Sequence, residues 1–194
     1  MPLRLVIAFV SLSLISCEFF TTRTPEPPEG TGQTGWRFPE SPEIALTNLS
    51  SAMARRSSAD YIRVFISVEQ NRFVYRFEPD PGTVSANPGR FDNWNIESER
   101  RHSQAMFAPS TTPLDSLVTI ETAFDRQNIL GDTAGVTIAY KLHVGHLSQG
   151  KPHDFEGRSE FRLLRQDDGG WYITDWIDTR STGQACWSDL KTMF

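Results

Sequence analysis

The amino-acid sequence predicts an α+β domain, with helices in its first part and an antiparallel sheet in its second. Two observations lead to this prediction. Apolar residues recur at roughly helical spacing between residues 44 and 65, whereas apolar and polar residues alternate along several segments after residue 116. Strands and helices do not alternate along this second part, which argues against a parallel sheet.

Length and composition limit the classes of protein that remain. The 194 residues suffice for one domain with appendages. A formal net charge of −5 argues against a nucleic-acid binder and gives no reason to expect polybasic docking on anionic lipid. The two cysteines, Cys17 and Cys186, are too few for a disulfide-stapled scaffold or a thiolate zinc site.

The start of the chain has the pattern of an export signal. Arg4 precedes an apolar run from residue 5 to residue 15. As a helix this run would rise only about 16 Å, too little to cross a hydrocarbon core of about 30 Å. The residues Leu14-Ile15-Ser16-Cys17 at its end resemble the bacterial lipobox. The alternative is an ordinary secretory signal in which the cysteine stands by chance.

The lipobox resemblance implies that Cys17 carries a diacylglyceryl thioether and that cleavage after Ser16 frees its amine for acylation, for example with palmitate. Two or three acyl chains would anchor the protein stably without any spanning helix. We therefore expect a membrane-anchored, extracytoplasmic protein of the bacterial cell envelope. Glu18 stands where an aspartate would favour the inner membrane. It therefore favours the periplasmic face of the outer membrane, if the organism is Gram-negative.

Three regions are predicted: a lipoprotein signal peptide over residues 1–16, the lipidated cysteine with a tether over 17–42, and a domain over 43–194. The stretch 18–42 holds five prolines and three glycines and shows no apolar periodicity, which is typical of a tether. Trp36 and Phe38 interrupt it. They either pack against the domain or contact lipid headgroups.

The first part of the domain is predicted to be mainly helical. Ser41 and Pro42 have the residue types of a helix cap and a first helical position, and Pro109 ends a later helix. We expect helices over residues 41–54, 59–65 and 94–108, a strand over 72–78 and a loop over 79–93.

The second part is predicted to be an antiparallel meander. The tetrapeptide Asp167-Asp168-Gly169-Gly170 is a strong hairpin signal and lacks the alternating oxygen ligands of a calcium loop. We expect strands over residues 117–124, 135–147, 154–165 and 171–178.

The last strand is predicted to contain a β-bulge if Trp176 and Ile173 both face the interior. Trp171 and Ile173 share one face of a regular strand, whereas Trp176 has the opposite parity. Trp176 can join Ile173 in the interior only if one extra residue lies between them, either Thr174 or Asp175. Such a bulge would add curvature to the sheet.

This order of elements resembles the nuclear-transport-factor-2-like (NTF2-like) superfamily over residues 41–194. The residues that carry the resemblance are Tyr61-Ile62-Arg63-Val64-Phe65, the strand at Phe73–Phe77, and Gly169, Gly170, Trp171, Ile173, Trp176 and Asp178 in the last hairpin. The lipobox, the tether and the ending Ala185-Cys186-Trp187-Ser188-Asp189-Leu190-Lys191 also resemble a set of bacterial lipoproteins without assigned activity. The resemblance implies a curved antiparallel sheet wrapped by N-terminal helices into a cone.

The resemblance implies that a site would lie in the cone. We expect the cone lining or mouth to include Tyr61, Phe65, Trp94, Met106, Trp176 and Asp178. Asp178 is the strongest single candidate for a polar group at the cone mouth, although pairing with Arg180 or a turn amide explains it as well. Enzymes of the superfamily place acids and bases in the cone. The candidates of this type are Asp60, Tyr61, Glu99, His102, Tyr140, His143, Asp175 and Asp178. None stands at a spacing that identifies a catalytic dyad, so no catalytic residue is assigned.

The other histidines and the second cysteine are interpreted as structural residues. His143 and His146 fall on opposite faces of a strand, so they cannot bind one metal, and we expect no metal or cofactor. His102 is expected on an exposed helix face, and Cys186 as a buried small hydrophobe. The aromatics expected in the core or cone lining are Phe73, Phe77, Trp94, Phe107, Phe124, Phe155 and Phe161.

Together these features predict a lipid-anchored envelope protein that acts as a binding or interaction module. Its partner would be an apolar small molecule or an envelope protein, and a homodimer through the open sheet face is a further expectation. The alternative is an isomerase, dehydratase or hydrolase that uses the cone cavity. A buried Asp or His with a shifted pKa beside a Tyr would favour the enzyme, whereas a cone filled by Phe, Met and Trp would favour interaction.

Overall fold

The computed structural model describes residues 35–65 and 74–194. The predicted signal peptide with Cys17, the predicted tether up to residue 34, and Phe73 lie outside the described residues. No helix within the described ranges is long and apolar enough to span a membrane.

The helices of the described residues lie mostly before the sheet. They are α1 (Pro42–Ala54), α2 (Ser58–Arg63), α3 (Pro81–Ala86), α4 (Ile96–Phe107) and α5 (Trp187–Met193). Ser41 caps α1, as its residue type predicts: its side chain accepts a hydrogen bond from the Ile44 amide at 3.4 Å. The Asn95 side chain caps α4 by accepting from the amides of Glu97 and Ser98.

The strands form one sheet with the order β1-β5-β4-β3-β2. They are β1 (Arg76–Glu78), β2 (Val118–Leu130), β3 (Thr133–Val144), β4 (Asp154–Arg165) and β5 (Trp171–Arg180). Strand β1 runs parallel to β5, and the other neighbours are antiparallel. The α+β class and the late meander are therefore confirmed.

The β-bulge in β5 is also confirmed. Leu163 of β4 pairs with Ile173, whereas Arg162 pairs with Asp175, so that Thr174 is the extra residue. The bulge resets the parity of the strand. Ile173 and Trp176 are consequently both 0% exposed, and the strand bends at this point.

Two helices and part of one strand differ from the sequence prediction. Helix α3 occupies part of the predicted loop, because the Asp80 side chain accepts from the Thr83 amide and caps it. Helix α5 was not predicted at all. Strand β2 extends to Leu130 instead of ending at 124, since pairing with β3 holds a stretch that is exposed on both faces.

The core prediction is wrong for one aromatic. Phe124 is 49% exposed, because it lies on β2, an edge strand of the sheet, in a stretch where every residue is exposed. Phe77, Phe107, Phe155 and Phe161 are buried as expected, and Trp94 packs against the core while partly exposed.

The C-terminal helix α5 brings large side chains into the core. Trp187, Leu190 and Lys191 of this helix are each 0% exposed. The Trp187 ring meets the Trp176 ring edge-on at 4.7 Å between centroids, and the Tyr140 ring at 5.3 Å. Helix α5 therefore contributes to the core between the sheet and the earlier helices.

Candidate functional site

A buried ion pair lies at the centre of the domain. The Glu99 carboxylate of α4 pairs with the Lys191 ammonium of α5, and both side chains are 0% exposed. Charged residues are almost never fully buried unless they are paired. This pair therefore joins two helices that are far apart in sequence at one point of the core.

Glu99 accepts hydrogen bonds from three further side chains. Its Oε2 accepts from the Tyr61 hydroxyl at 3.0 Å. Its Oε1 accepts from the Tyr75 hydroxyl at 2.7 Å and from the Trp94 indole N–H at 2.8 Å. Burial alone would raise the pKa of Glu99, but the Lys191 charge and the hydrogen bonds from Lys191 and Tyr75 outweigh it and hold the pKa below its usual range.

The Lys191 ammonium is enclosed by aromatic rings. Its Nζ lies 3.5 Å from the centroid of the Phe77 ring, 3.8 Å from that of Trp176 and 5.6 Å from that of Trp94. Cation–π attraction offsets part of the lost hydration. Burial lowers the pKa of Lys191 to about 8, against the opposing effect of Glu99. At neutral pH the ammonium is still mostly protonated.

The two tyrosines act as fixed hydrogen-bond donors. Burial, and next the negative charge of Glu99, raise the pKa of Tyr61 and of Tyr75 well above their ordinary value. Both hydroxyls therefore keep their protons at physiological pH and orient the carboxylate rather than exchange protons with it.

A second buried carboxylate, Asp178, holds the beginning of α5. It is 1% exposed. Its oxygens accept from the Tyr140 hydroxyl at 2.8 Å and from both the amide and the hydroxyl of Ser188 at 2.6 Å. The Tyr140 hydroxyl in turn accepts from the Trp187 amide at 2.7 Å. Burial raises the pKa of Asp178, and the Ser188 and Tyr140 hydrogen bonds oppose that rise.

Asp178 does not pair with Arg180. The Arg180 guanidinium instead donates to Asp80 at 2.7 Å and to Asp189 at 3.2 Å. The hydrogen bonds of Asp178 to the first turn of α5 correspond more closely to the alternative in which a backbone amide satisfies it.

The prediction of an exposed His102 is wrong. Its side chain lies on the buried face of α4, where Glu99, His102, Ser103 and Met106 recur at helical spacing. Most of these residues are polar, so hydropathy alone did not reveal that the face is buried. Burial lowers the pKa of His102 to about 4, the Glu99 charge opposing the shift, so the ring is neutral at physiological pH.

This neutral imidazole predicts a pH dependence of stability. Between pH 6.5 and 4, His102 is protonated in the unfolded chain but remains neutral in the folded domain. The free energy of unfolding should therefore fall as the pH is lowered through this window. Urea unfolding at several pH values in the window should show a smaller slope in His102→Gln than in the wild type. Equal slopes would mean that His102 is not buried as a neutral ring.

The remaining histidines form a stack beside β3. The ring centroids of His146 and His153 lie 4.3 Å apart, and those of His143 and His153 lie 6.1 Å apart. His146 is held by the Pro152 carbonyl at 2.8 Å and by the Ser148 amide at 3.1 Å. Within residues 35–65 and 74–194, no group of three or more His, Cys, Asp or Glu side chains is arranged to hold a metal.

Cys186 is 0% exposed, as expected of a buried small hydrophobe. It precedes α5, and its amide donates to the Asp189 carboxylate at 2.9 Å. Burial raises the pKa of the thiol to about 12, so it is not poised as a nucleophile.

The structure places the six sequence candidates in two groups. Tyr61, Phe65, Met106 and Trp176 lie in the core with Trp94 at its edge, while Asp178 lies at the start of α5. Sequence reasoning missed Tyr75 and Lys191. The signal for Lys191 was its spacing from Trp187, which puts both on one face of a helix whose first turn holds Asp189 at a capping-box position.

Of the tether aromatics, Trp36 packs against the domain, with the Arg63 guanidinium 4.1 Å from its ring centroid. Phe38 is 52% exposed.

Comparisons with known proteins bear on the fold. No protein-family model matches the chain, and no curated protein gives a significant match. Solved structures do match, at low sequence identity. A candidate aromatic ring hydroxylase of Novosphingobium aromaticivorans has a TM-score of 0.56 at 17% identity, over 77% of this chain and 92% of that one.

Two further structures carry family names. A ketosteroid isomerase-like protein of Erwinia carotovora atroseptica has a TM-score of 0.51 at 15% identity, over 72% of this chain and 93% of that one. A candidate dehydratase of the NTF2-like family from Streptomyces avermitilis has a TM-score of 0.50 at 16% identity, over 73% and 94%. The chain therefore has the NTF2-like fold, a curved and unclosed five-stranded sheet packed against its N-terminal helices.

Proposed function

We propose that the protein is a lipid-anchored binding module of the bacterial cell envelope, in which the interior of the cone is structural. The observation that carries this proposal is the Glu99–Lys191 pair, because both of its side chains are 0% exposed at the centre of the domain. A substrate would have to contact these groups, and in this structure the protein's own side chains already occupy their hydrogen-bonding positions.

The packing around the pair supports the same conclusion. Phe77 and Trp176 lie against the ammonium, and Trp187 lies against Trp176. Side chains packed this closely leave no space for a substrate beside the ammonium. Recognition is then expected at surfaces outside the cone interior.

Anchoring rests on the lipobox resemblance of residues 14–17. Replacing Cys17 with serine removes the only sulfur at the end of the apolar run, so that no thioether lipid can form. We expect Cys17→Ser to lose labelling by a palmitate analogue and to leave the membrane fraction or remain unprocessed. Cys186→Ala is the matched control, since Cys186 is buried in the domain, and this variant should stay anchored. A Cys17→Ser protein that is processed and membrane-bound like the wild type would contradict the anchor.

The second candidate function is an isomerase or dehydratase that works in the cone. Glu99 with Tyr61 and Tyr75 combines a carboxylate with two hydroxyl donors, which is a set capable of acid–base chemistry. The candidate dehydratase and the ketosteroid isomerase-like protein with the same fold agree with such chemistry. This candidate requires α5 to leave the core, because Lys191 and Trp187 must first withdraw.

Hydrogen exchange separates the two candidates. If the cone interior is structural, the amides of α5 around the buried residues Trp187 and Leu190 should exchange as slowly as those of β4. If α5 opens to admit a substrate, its amides should exchange much faster than those of β4 while the sheet stays protected. Mass-spectrometric exchange on peptides that cover residues 187–193 and 154–165 measures both. Fast exchange confined to α5 would overturn the binding-module proposal.

A further inference from the structure

A cavity of about 670 Å³ lies outside the buried cluster, between the loop that precedes α4, α4 itself and Phe194. This volume is within the range of small-molecule sites. Three features of its lining indicate what it would bind, namely one buried histidine, two arginines and two aromatic rings. The residues that carry the argument are Arg90, Trp94, Arg101, His102 and Phe194.

The first feature is the unsatisfied imidazole of His102. The residue is 2% exposed, and neither ring nitrogen has a hydrogen-bond partner among the described residues. The backbone of Phe194 lies near the ring but outside hydrogen-bonding geometry. Both nitrogens have almost no accessible surface, so in this structure His102 meets the cavity through its ring carbons and contributes a neutral wall.

The second feature is positive charge. Arg90 and Arg101 line the cavity, and Asp92 contributes a side-chain carboxylate to the same lining. Arg101 makes a long hydrogen bond of 3.4 Å to Ser98 Oγ, within its own helix. Arg90 is held in place by the carbonyl oxygen of Lys191 at 3.2 Å and by Phe194 O at 2.6 Å. A guanidinium fork favours carboxylate or phosphate oxygens.

The third feature is the aromatic wall. The rings of Trp94 and Phe194 both line the cavity, and each lies 6.2 Å from the His102 ring between centroids. The Trp94 ring is held in place because its indole N–H donates a hydrogen bond to the buried Glu99 carboxylate. Two rings held by the core offer a flat apolar surface beside the two guanidinium groups.

We propose that this cavity binds a small aromatic carboxylate beside the His102 ring, with its own ring against Trp94 and Phe194 and its carboxylate on Arg101. The proposal rests on the proposed function in one respect, that the domain acts by binding outside its core. It adds the location of the site and the class of ligand.

The test uses the full chain and three probes of similar size, namely benzoate, benzyl alcohol and benzylamine. Benzoate should bind saturably in a calorimetric titration and should shift the ring resonances of His102 in NMR spectra. Benzyl alcohol should bind at least about tenfold more weakly, because it lacks the charge that meets the guanidinium. Benzylamine should bind more weakly still.

Two neighbouring arginines of α4 provide matched variants. Arg101→Gln should weaken benzoate binding by at least about tenfold. Arg100→Gln should leave it unchanged, because Arg100 pairs with Glu97 and does not line the cavity. The proposal is overturned if benzoate does not bind, if it binds no better than benzyl alcohol, or if both variants weaken it equally. Such a failure would leave the slow exchange of α5 untouched, so the proposed function would be judged separately.

Discussion

Lys191→Met is expected to lower the free energy of unfolding by about 3–5 kcal/mol, the range measured when one member of a buried ion pair is removed. Methionine has a similar length and keeps the apolar contacts with Phe77 and Trp176. What is lost is the ammonium, so the Glu99 carboxylate remains buried without its counter-charge. Tyr61, Tyr75 and Trp94 would still donate to Glu99, which places the effect within this range rather than above it.

Chemical denaturation of the purified domain measures this effect. Lys151→Met is the matched control, since Lys151 is exposed in the turn before β4, and it should change stability by no more than about 0.5 kcal/mol. The double variant Glu99→Gln/Lys191→Met should recover part of the loss, because it leaves no buried charge unpaired. If Lys191→Met costs no more than Lys151→Met, the buried pair does not exist in solution.

Trp187→Ala is expected to destabilise the domain by about 3–5 kcal/mol, the usual cost of deleting a large aromatic side chain from a core. The indole is 0% exposed and packs edge-on against Trp176 and Tyr140. Its removal should leave an apolar cavity in the cone. Free indole should then bind the variant and raise its unfolding temperature, whereas the wild type should show no such shift.

Trp36→Ala is the control for this second variant. Trp36 packs at the edge of the domain under the Arg63 guanidinium and is only partly buried. Trp36→Ala should lower the free energy of unfolding by less than Trp187→Ala does. Indole should not raise the unfolding temperature of this variant. If indole stabilises the wild type as strongly as Trp187→Ala, then the cone already contains a cavity, and the cone-cavity enzyme becomes the better candidate.

Both variants address the same structural point, which is that the C-terminal helix completes the core of this NTF2-like domain. Asp178 fixes the first turn of α5 through Ser188, and Glu99 fixes its last turn through Lys191. A helix of seven residues is marginal in isolation, so these tertiary contacts determine its place. The binding-module proposal depends on α5 remaining there.

Local sequence patterns predicted the features that depend on neighbours in the chain. The cap at Ser41, the hairpin at Asp167–Gly170 and the bulge in β5 all follow from side-chain chemistry or from parity within a few residues. Gly169 indeed has a φ of 83°, in the left-handed region that a glycine accommodates.

The candidate site could be predicted only in part. Trp176 and Tyr61 stood out because they match positions of the NTF2-like pattern, which implied that they line the cone. His102 was misplaced because the buried face of α4 is polar, and hydropathy cannot distinguish a buried polar face from a solvated one. The spacing of Lys191 from Trp187 was too weak a signal to predict its burial, since a lysine is normally exposed and becomes buried only when a partner compensates its charge.

The sequence by itself determined the α+β class, the antiparallel meander and the expectation of a lipid on Cys17, and it predicted a bulge in the last strand on the condition that Trp176 faces the interior. Only the tertiary structure decided that Glu99 meets Lys191, a residue 92 positions away, and that α5 fills the core. The physical reason is that helix and strand patterns arise from short-range periodicity, whereas the pairing of two buried charges depends on the whole fold. Neither segment alone therefore predicts that Glu99 and Lys191 are partners.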